Sequence, residues 1–378
     1  MRPLDMQDEL TQTSAPVVAP NLLPLYEESA RIMTICNACR FCEGHCAVFP
    51  AMEQRLTFDR ETVDYLANLC HQCGACYQHC QYADPHEFNV NVPRVFAEVR
   101  HSSYAHFAWP KGMAWAIRNA WGFTILTTLL ATLFFLIGVT LSGDQSPEGV
   151  GFYAVISHNT MVTIFSFVGW LILLVWYFSI RRFWLTTALP GIFNIPLSVY
   201  RRAMMSILTL KNLDGGHGHG CYQQGEVASQ MRRVFHQMTM YGFLFCFVAT
   251  SLGTIYHYGL GAPAPYDWLT APKFFGVTGG VSLLVGCAGL WWCRRSTEQA
   301  IETEDGGLGN SLIGLLFFTS LTGLALPLLK GTEYLAIILC LHLGFVLALF
   351  LNFAWGKFMH SIYRCVALLA SEYEKLRQ

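Results

Sequence analysis

The chain has 378 residues, 53% of them hydrophobic and only 13% charged. Soluble domains carry about a quarter charged residues, so the deficit marks a membrane protein. A formal net charge of −1 gives no footing for a nucleic-acid partner, and the length allows more than one structural unit.

Residues 1–24, with Pro3, Pro16, Pro20 and Pro24, read as a flexible N-terminal arm. They hold no apolar core segment of a secretory signal, so the N-terminus is expected in the cytoplasm. A short helix is expected over 27–35, leading into residues 36–80. There the spacing Cys-x2-Cys-x2-Cys-x3-Cys occurs twice, as Cys36, Cys39, Cys42, Cys46 and as Cys70, Cys73, Cys76, Cys80. Thiolates at this spacing wrap one corner of a cubane, and the fourth Cys of such a run ligates the neighbouring cluster. The expectation is two [4Fe–4S] clusters, one on Cys36, Cys39, Cys42 and Cys80, the other on Cys70, Cys73, Cys76 and Cys46. Zinc prefers two separated pairs of ligands. Disulfides suit a secreted chain better than this one.

Between the runs, Leu56, Val63, Leu66 and Leu69 fall near helical spacing and predict a helical connector over 51–69. After Cys80, Pro85 and Pro93 break the stretch, and a helix can start over Val92–Arg100. Residues 25–110 thus read as a small cytoplasmic domain, α-helical and ferredoxin-like, with two clusters. His71, His79, His86, His101 and His106 in and after it read as packing around the clusters or tuning them.

From Trp121 the character changes. Six apolar segments, roughly 121–142, 160–180, 234–256, 274–293, 311–329 and 334–356, are long enough to span a bilayer, and none contains Asp, Glu, Lys or Arg. The loop cations, among them Arg181, Arg182, Arg201, Arg202, Arg232, Arg233, Arg294, Arg295 and Lys357, fall on one side, and only Lys273 and Lys330 on the other. The positive-inside rule makes the first side cytoplasmic, which is also the side of the Cys runs. The fold expectation is therefore mainly α, with residues 111–378 a six-helix transmembrane bundle and 181–233 a cytoplasmic loop. Within that loop, 183–200 is broken by Pro190 and Pro196 and reads as interfacial. In 214–225, His217, His219 and Cys221 are metal candidates, although alternating glycines hold ligands poorly and favour a plain turn. The remaining scattered cysteines read as small core residues.

Ionisable residues at membrane depth read first as functional. His342 and His360 project from one helical face about 27 Å apart, and His236 and His257 lie about 31 Å apart on the third span, from the rise per residue. Because these two spans run in opposite senses, His236 and His360 form an inner pair and His257 and His342 an outer one. Level histidines on facing helices are how a bundle holds bis-His haem b. Interfacial histidines satisfied by water or headgroups are the plain alternative, and His158 can replace His257.

The stretches "CNACRFCEGHCAVFPAME" and "YLANLCHQCGACYQHCQYADPHEFNVNVPR", six spans, and "RRVFHQMTMYGF" at the third of them resemble the tricarballylate (citrate) utilisation protein B family. The resemblance runs from about residue 25 to the end. It implies a multi-pass electron carrier of the bacterial inner (cytoplasmic) membrane. Such a carrier reoxidises a soluble FAD-containing dehydrogenase that makes cis-aconitate from tricarballylate, and passes the electrons to the membrane quinone pool. The eight Cys carry over as cluster ligands, and His236 matches the third-span motif. With no G-x-G-x-x-G or P-loop in the chain, flavin and nucleotide chemistry fall to the partner. Rival readings are a carrier for a cobalamin- or heterodisulfide-linked flavoprotein, and an iron–sulfur membrane anchor or redox sensor.

Overall fold

The computed structural model describes residues 22–142, 152–187, 189–216, 218–224, 227–262, 264, 266–297 and 307–377. The N-terminal arm up to residue 21 and His217 lie outside them. Fifteen α-helices and one two-stranded hairpin are present among the described residues.

The Cys segment is built on α1 (Leu23–Cys39), α2 (Val48–Glu53), α3 (Arg60–Leu69), α4 (Ala75–Gln78) and α5 (Val92–Phe107). Pro24 is tolerated in the first turn of α1, where its missing N–H costs nothing, so the helix starts earlier than the 27–35 expected. It also runs further and carries Cys36 and Cys39 on its last turn. The connector is two helices, α2 and α3. Val63, Leu66 and Leu69 are fully buried on α3, whereas Leu56, between the helices, is 98% exposed and belongs to no apolar face. Asp59 caps α3 by accepting from the Thr62 N–H at 2.9 Å. Asn91 does the same for α5 through Arg94 N–H at 3.1 Å.

After α6 (Ala114–Arg118) come α7 (Ala120–Ser142), α8 (Phe152–Val155) and α9 (His158–Leu185). Next are α10 (Leu197–Leu208), the hairpin β1 (Cys221–Gln224) and β2 (Val227–Ser229), α11 (Met231–Leu260) and α12 (Ala271–Arg295). The chain closes with α13 (Leu308–Ala325), α14 (Leu335–Trp355) and α15 (Met359–Glu374). Six helices, α7, α9, α11, α12, α13 and α14, are long and apolar enough to cross a membrane. Their outward faces leave Leu129, Phe167, Trp170, Phe247 and Ile337 exposed, a belt that hydrocarbon satisfies and water does not.

α14 is the most enclosed of the six. It packs against α7, α9 and α13, and α12 joins α13 to α11. α11 and α12 lie antiparallel with almost no side chain between them. A Cβ on Gly242 would stand 2.7 Å from the Leu283 nitrogen, and one on Gly286 2.7 Å from the Thr239 nitrogen. Small residues admit this backbone approach, and close packing is what holds helices together in lipid. Asn352 on α14 ties it to α7, accepting from Thr124 Oγ1 at 2.9 Å.

The stretch expected to be interfacial ends α9 at Leu185 and enters α10 with Ile192, Phe193 and Leu197 exposed. The last helix, α15, turns back to the Cys segment. Met359, Tyr363, Val366, Ala367 and Leu368 are buried in one core with Met33, Phe49, Leu66 and Phe96. Arg55 pairs with Glu374 at 2.5 Å, and Tyr65 donates to the same carboxylate at 2.9 Å. The core of the Cys segment is therefore completed by the C-terminus.

Candidate functional site

The eight thiols of the two runs are brought together in two sets. α1 ends at Arg40, whose positive φ of 55° turns the chain sharply between Cys39 and Cys42. In the second run Gln72 (φ 56°) and Gly74 (φ 81°) bend the backbone around the site and start α4, which carries Cys76. Cys36, Cys39, Cys42 and Cys80 line one hollow beside Phe41 and Tyr82, which Cys76 also lines. Cys46, Cys70, Cys73 and Cys76 line the next. The fourth Cys of each run has crossed to the other set.

Burial pushes the Cys36 and Cys42 thiols up to about 12, and the neighbouring thiols, Cys80 and Cys39 among them, add to the shift. Burial likewise raises Cys46 and Cys76, reinforced by Cys73 and Cys70. Cys76 also senses Cys42, so the two sets are neighbours. Burial and mutual repulsion favour the protonated thiols, and a cationic iron–sulfur core is what would bind them as thiolates. Zinc would draw its sulfurs to about 3.8 Å apart, from the Zn–S bond length. Among the described residues no group of three His, Cys, Asp or Glu converges on a single-ion position. The Gln72 N–H donates to Cys70 Sγ at 3.3 Å, a contact of the kind that tunes cluster potentials.

The second set borders a cavity of about 420 Å³ lined by the Cys70 loop, α5, α10, α11, α12, α13 and α15. His236 on α11 and His360 on α15 both line it, so the structure brings the inner pair to one space. His71, next to Cys70, lines it as well. The sequence reading placed His71 with the clusters only, and its position on the membrane side of the Cys loop becomes visible once the loop is docked. Tyr104 on α5 meets His360 Nδ1 at 2.9 Å, which leaves Nε2 for the cavity. Burial first, then Lys357 and Arg100, hold His360 well below the usual imidazole range, in the neutral form that binds metal. Met240, Phe243, Leu312 and Leu316 form an apolar wall.

The outer histidines are placed differently. His257 on α11 stacks on His158 of α9, ring centroids 3.9 Å apart. His342 on α14 instead meets Thr322 Oγ1 on α13 at 3.1 Å. α11 packs mainly on α12, and α14 on α7 and α13. Two rings stacked at 3.9 Å also leave no room for a haem between them. His158 therefore stands beside His257, and the contacts of His257 and His342 are with different neighbours.

Residues 214–216 and 218–224 pack against the Cys segment. Gly216 (φ 88°) packs on the Gly44–His45 backbone, where a Cβ would fall 2.3 Å from the His45 Cα. The hairpin then closes over the second thiol set, with the Tyr222 N–H donating to the Cys73 carbonyl at 2.8 Å. Cys221 is buried and donates to the Leu213 carbonyl at 3.6 Å, while His219 is exposed. His45 and His79 meet at 3.0 Å beside the two sets.

Two family models match the chain. Residues 29–106 match the citrate utilization protein B Fer4-like domain, and residues 116–378 match citrate utilization protein B. A relative called citrate utilization protein B, from Escherichia coli, is 43% identical over 356 residues, covering 93% of this chain and 93% of its own. No solved structure matches the chain.

Proposed function

The chain belongs to the citrate utilization protein B family, and we propose that it is a membrane electron carrier between a reduced flavoprotein dehydrogenase and quinone. The donor in this reading is a soluble FAD-containing enzyme of the tricarballylate dehydrogenase kind. Two [4Fe–4S] clusters and haem b, when bound, supply one-electron carriers between a two-electron flavin and the membrane. The observation that carries the reading is the pair of crossed thiol sets, the second of which abuts a helix-lined cavity holding His236 and His360.

The chain's own residues divide the work. Cys36, Cys39, Cys42 and Cys80 hold the cluster nearer solvent, beside Phe41, which is 65% exposed and offers the donor a contact. Cys46, Cys70, Cys73 and Cys76 hold the cluster nearer the bundle. His236 and His360 are the haem ligands of the reading, with Tyr104 fixing the orientation of His360 as second-layer partners of metal-bound histidines do. His257, stacked on His158, and His342, in contact with Thr322, do not line that cavity and are left out. The six apolar helices keep water from the inner carrier, and the cation-rich side faces the cytoplasm.

Spectroscopy and analysis of the purified chain test this. Two cubanes require about eight iron and eight sulfide per chain, before haem iron. A b-type band should appear on reduction and vanish in His236→Ala and His360→Ala. Reduced donor flavin should be reoxidised only when chain and quinone are both present. Zinc without sulfide, or a chain that never reduces quinone, would end the proposal.

A further inference from the structure

The cavity beside the second thiol set is lined by cations and by no carboxylate among the described residues. The cations are Arg100, Arg232, Arg294, Lys357 and Arg364. Three of these cations converge on the loop that holds Cys70. Arg364 donates to the Leu69 carbonyl at 2.6 Å. Arg232 donates to the Gln72 carbonyl at 2.6 Å, and Arg100 to the Cys70 carbonyl at 2.9 Å. Carbonyls satisfy the geometry of a guanidinium but bring no counter-charge of their own. Arg364 is 7% exposed, and its Nη2 is buried with no hydrogen-bond partner among the described residues. A buried, half-satisfied guanidinium is costly unless an anion completes it. The opposite wall is apolar, with Phe243, Leu312 and Leu316. The cavity thus asks for a flat apolar body that carries carboxylates at one edge.

We propose that Arg364 and Arg232 bind the carboxylates of the haem in this cavity. The same two guanidiniums then tie the haem edge to the stretch 69–72 that carries the second thiol set. This rests on the reading that His236 and His360 hold haem, and it adds which end of the cofactor faces the clusters. Arginine suits the task because its planar fork can serve a peptide carbonyl and a carboxylate together.

The test uses the full chain in detergent, loaded with protohaem or with its dimethyl ester, which keeps the iron and the ring and lacks the carboxylates. Wild type should bind the ester at least about tenfold more weakly, the loss expected for a charge-assisted contact. Arg364→Gln and Arg232→Gln should weaken protohaem binding by a similar factor, lower the haem midpoint potential and narrow the gap between the two ligands. Arg364→Lys should restore part of the affinity. Cluster EPR checks that each variant has folded, and the ester comparison on wild type holds even if a variant does not. Equal binding of protohaem and ester to wild type would overturn the proposal. So would variants that disturb only the cluster signals, because the cations would then serve the thiolates. A wild-type chain that takes up neither compound would remove the haem reading itself, whereas loss in His236→Ala with equal binding of the two compounds to wild type would sink the carboxylate assignment alone.

Discussion

Cys80 is the last residue of the second run, yet it completes the set begun by Cys36, Cys39 and Cys42, and Cys46 joins the second set. If the sets are the cluster sites, Cys80→Ser should remove the cluster nearer solvent. About four of about eight iron would be lost, while the inner cluster signal survives. Cys46→Ser should do the reverse. EPR of the two variants separates this from an uncrossed pairing, in which the lost signals would be exchanged. A second residue-scale prediction concerns Asp64, 2% exposed and facing Tyr26 at 2.8 Å and Arg60 at 3.8 Å. Burial raises its carboxyl to about 7, and the Tyr26 hydrogen bond and Arg60 only partly oppose that. A raised carboxyl contributes stability below its unfolded value near 4, and that stability is lost as pH rises towards 7. Asp64→Asn removes this dependence and should gain on wild type between pH 5 and 8, by on the order of a few kcal/mol. Thermal unfolding at several pH values reads it, and a constant difference between the two proteins would refute it.

The interface of α11 and α12 depends on what is missing from it. Gly242, Gly279 and Gly286 let the two backbones touch, whereas Gly314 on α13 has nothing within 4 Å of its absent Cβ. Gly242→Val should therefore lower the melting temperature in detergent, at a cost of about 1–3 kcal/mol or more from overpacking. Gly314→Val should leave it nearly unchanged. If both variants melt alike, the close packing does not hold the pair together. His236 sits on α11, so a shifted α11 would also disturb the cavity.

The whole molecule is tied by its end. α15 closes the core of the Cys segment through Tyr363, Ala367 and Leu368, and Arg364 holds the carbonyl that precedes Cys70. Deleting residues 359–378 removes no cysteine of the two runs. It should still abolish most of the cluster iron, because α3, with Leu66 in the shared core, loses its covering. Iron and sulfide content of the truncated chain measure this, and full cluster content would show that the segment folds without α15.

The Cys spacing and the six apolar runs could be read directly from the chain, because both are local. Ligand spacing bends the backbone that carries it, and hydrocarbon thickness sets the length of each span. Family membership followed from the same stretches and is shown by matches across nearly the whole length. Helix rise placed His236 level with His360 and His257 level with His342, but heights do not say which helices are neighbours. Packing settled that, setting His257 on His158, His342 on Thr322, and His71 in the cavity with His236 and His360. The docking of α15 and the convergence of Arg100, Arg232 and Arg364 on the Cys70 loop belong to the same class of fact. They join residues far apart in the chain, and only the burial of complementary faces brings such residues together.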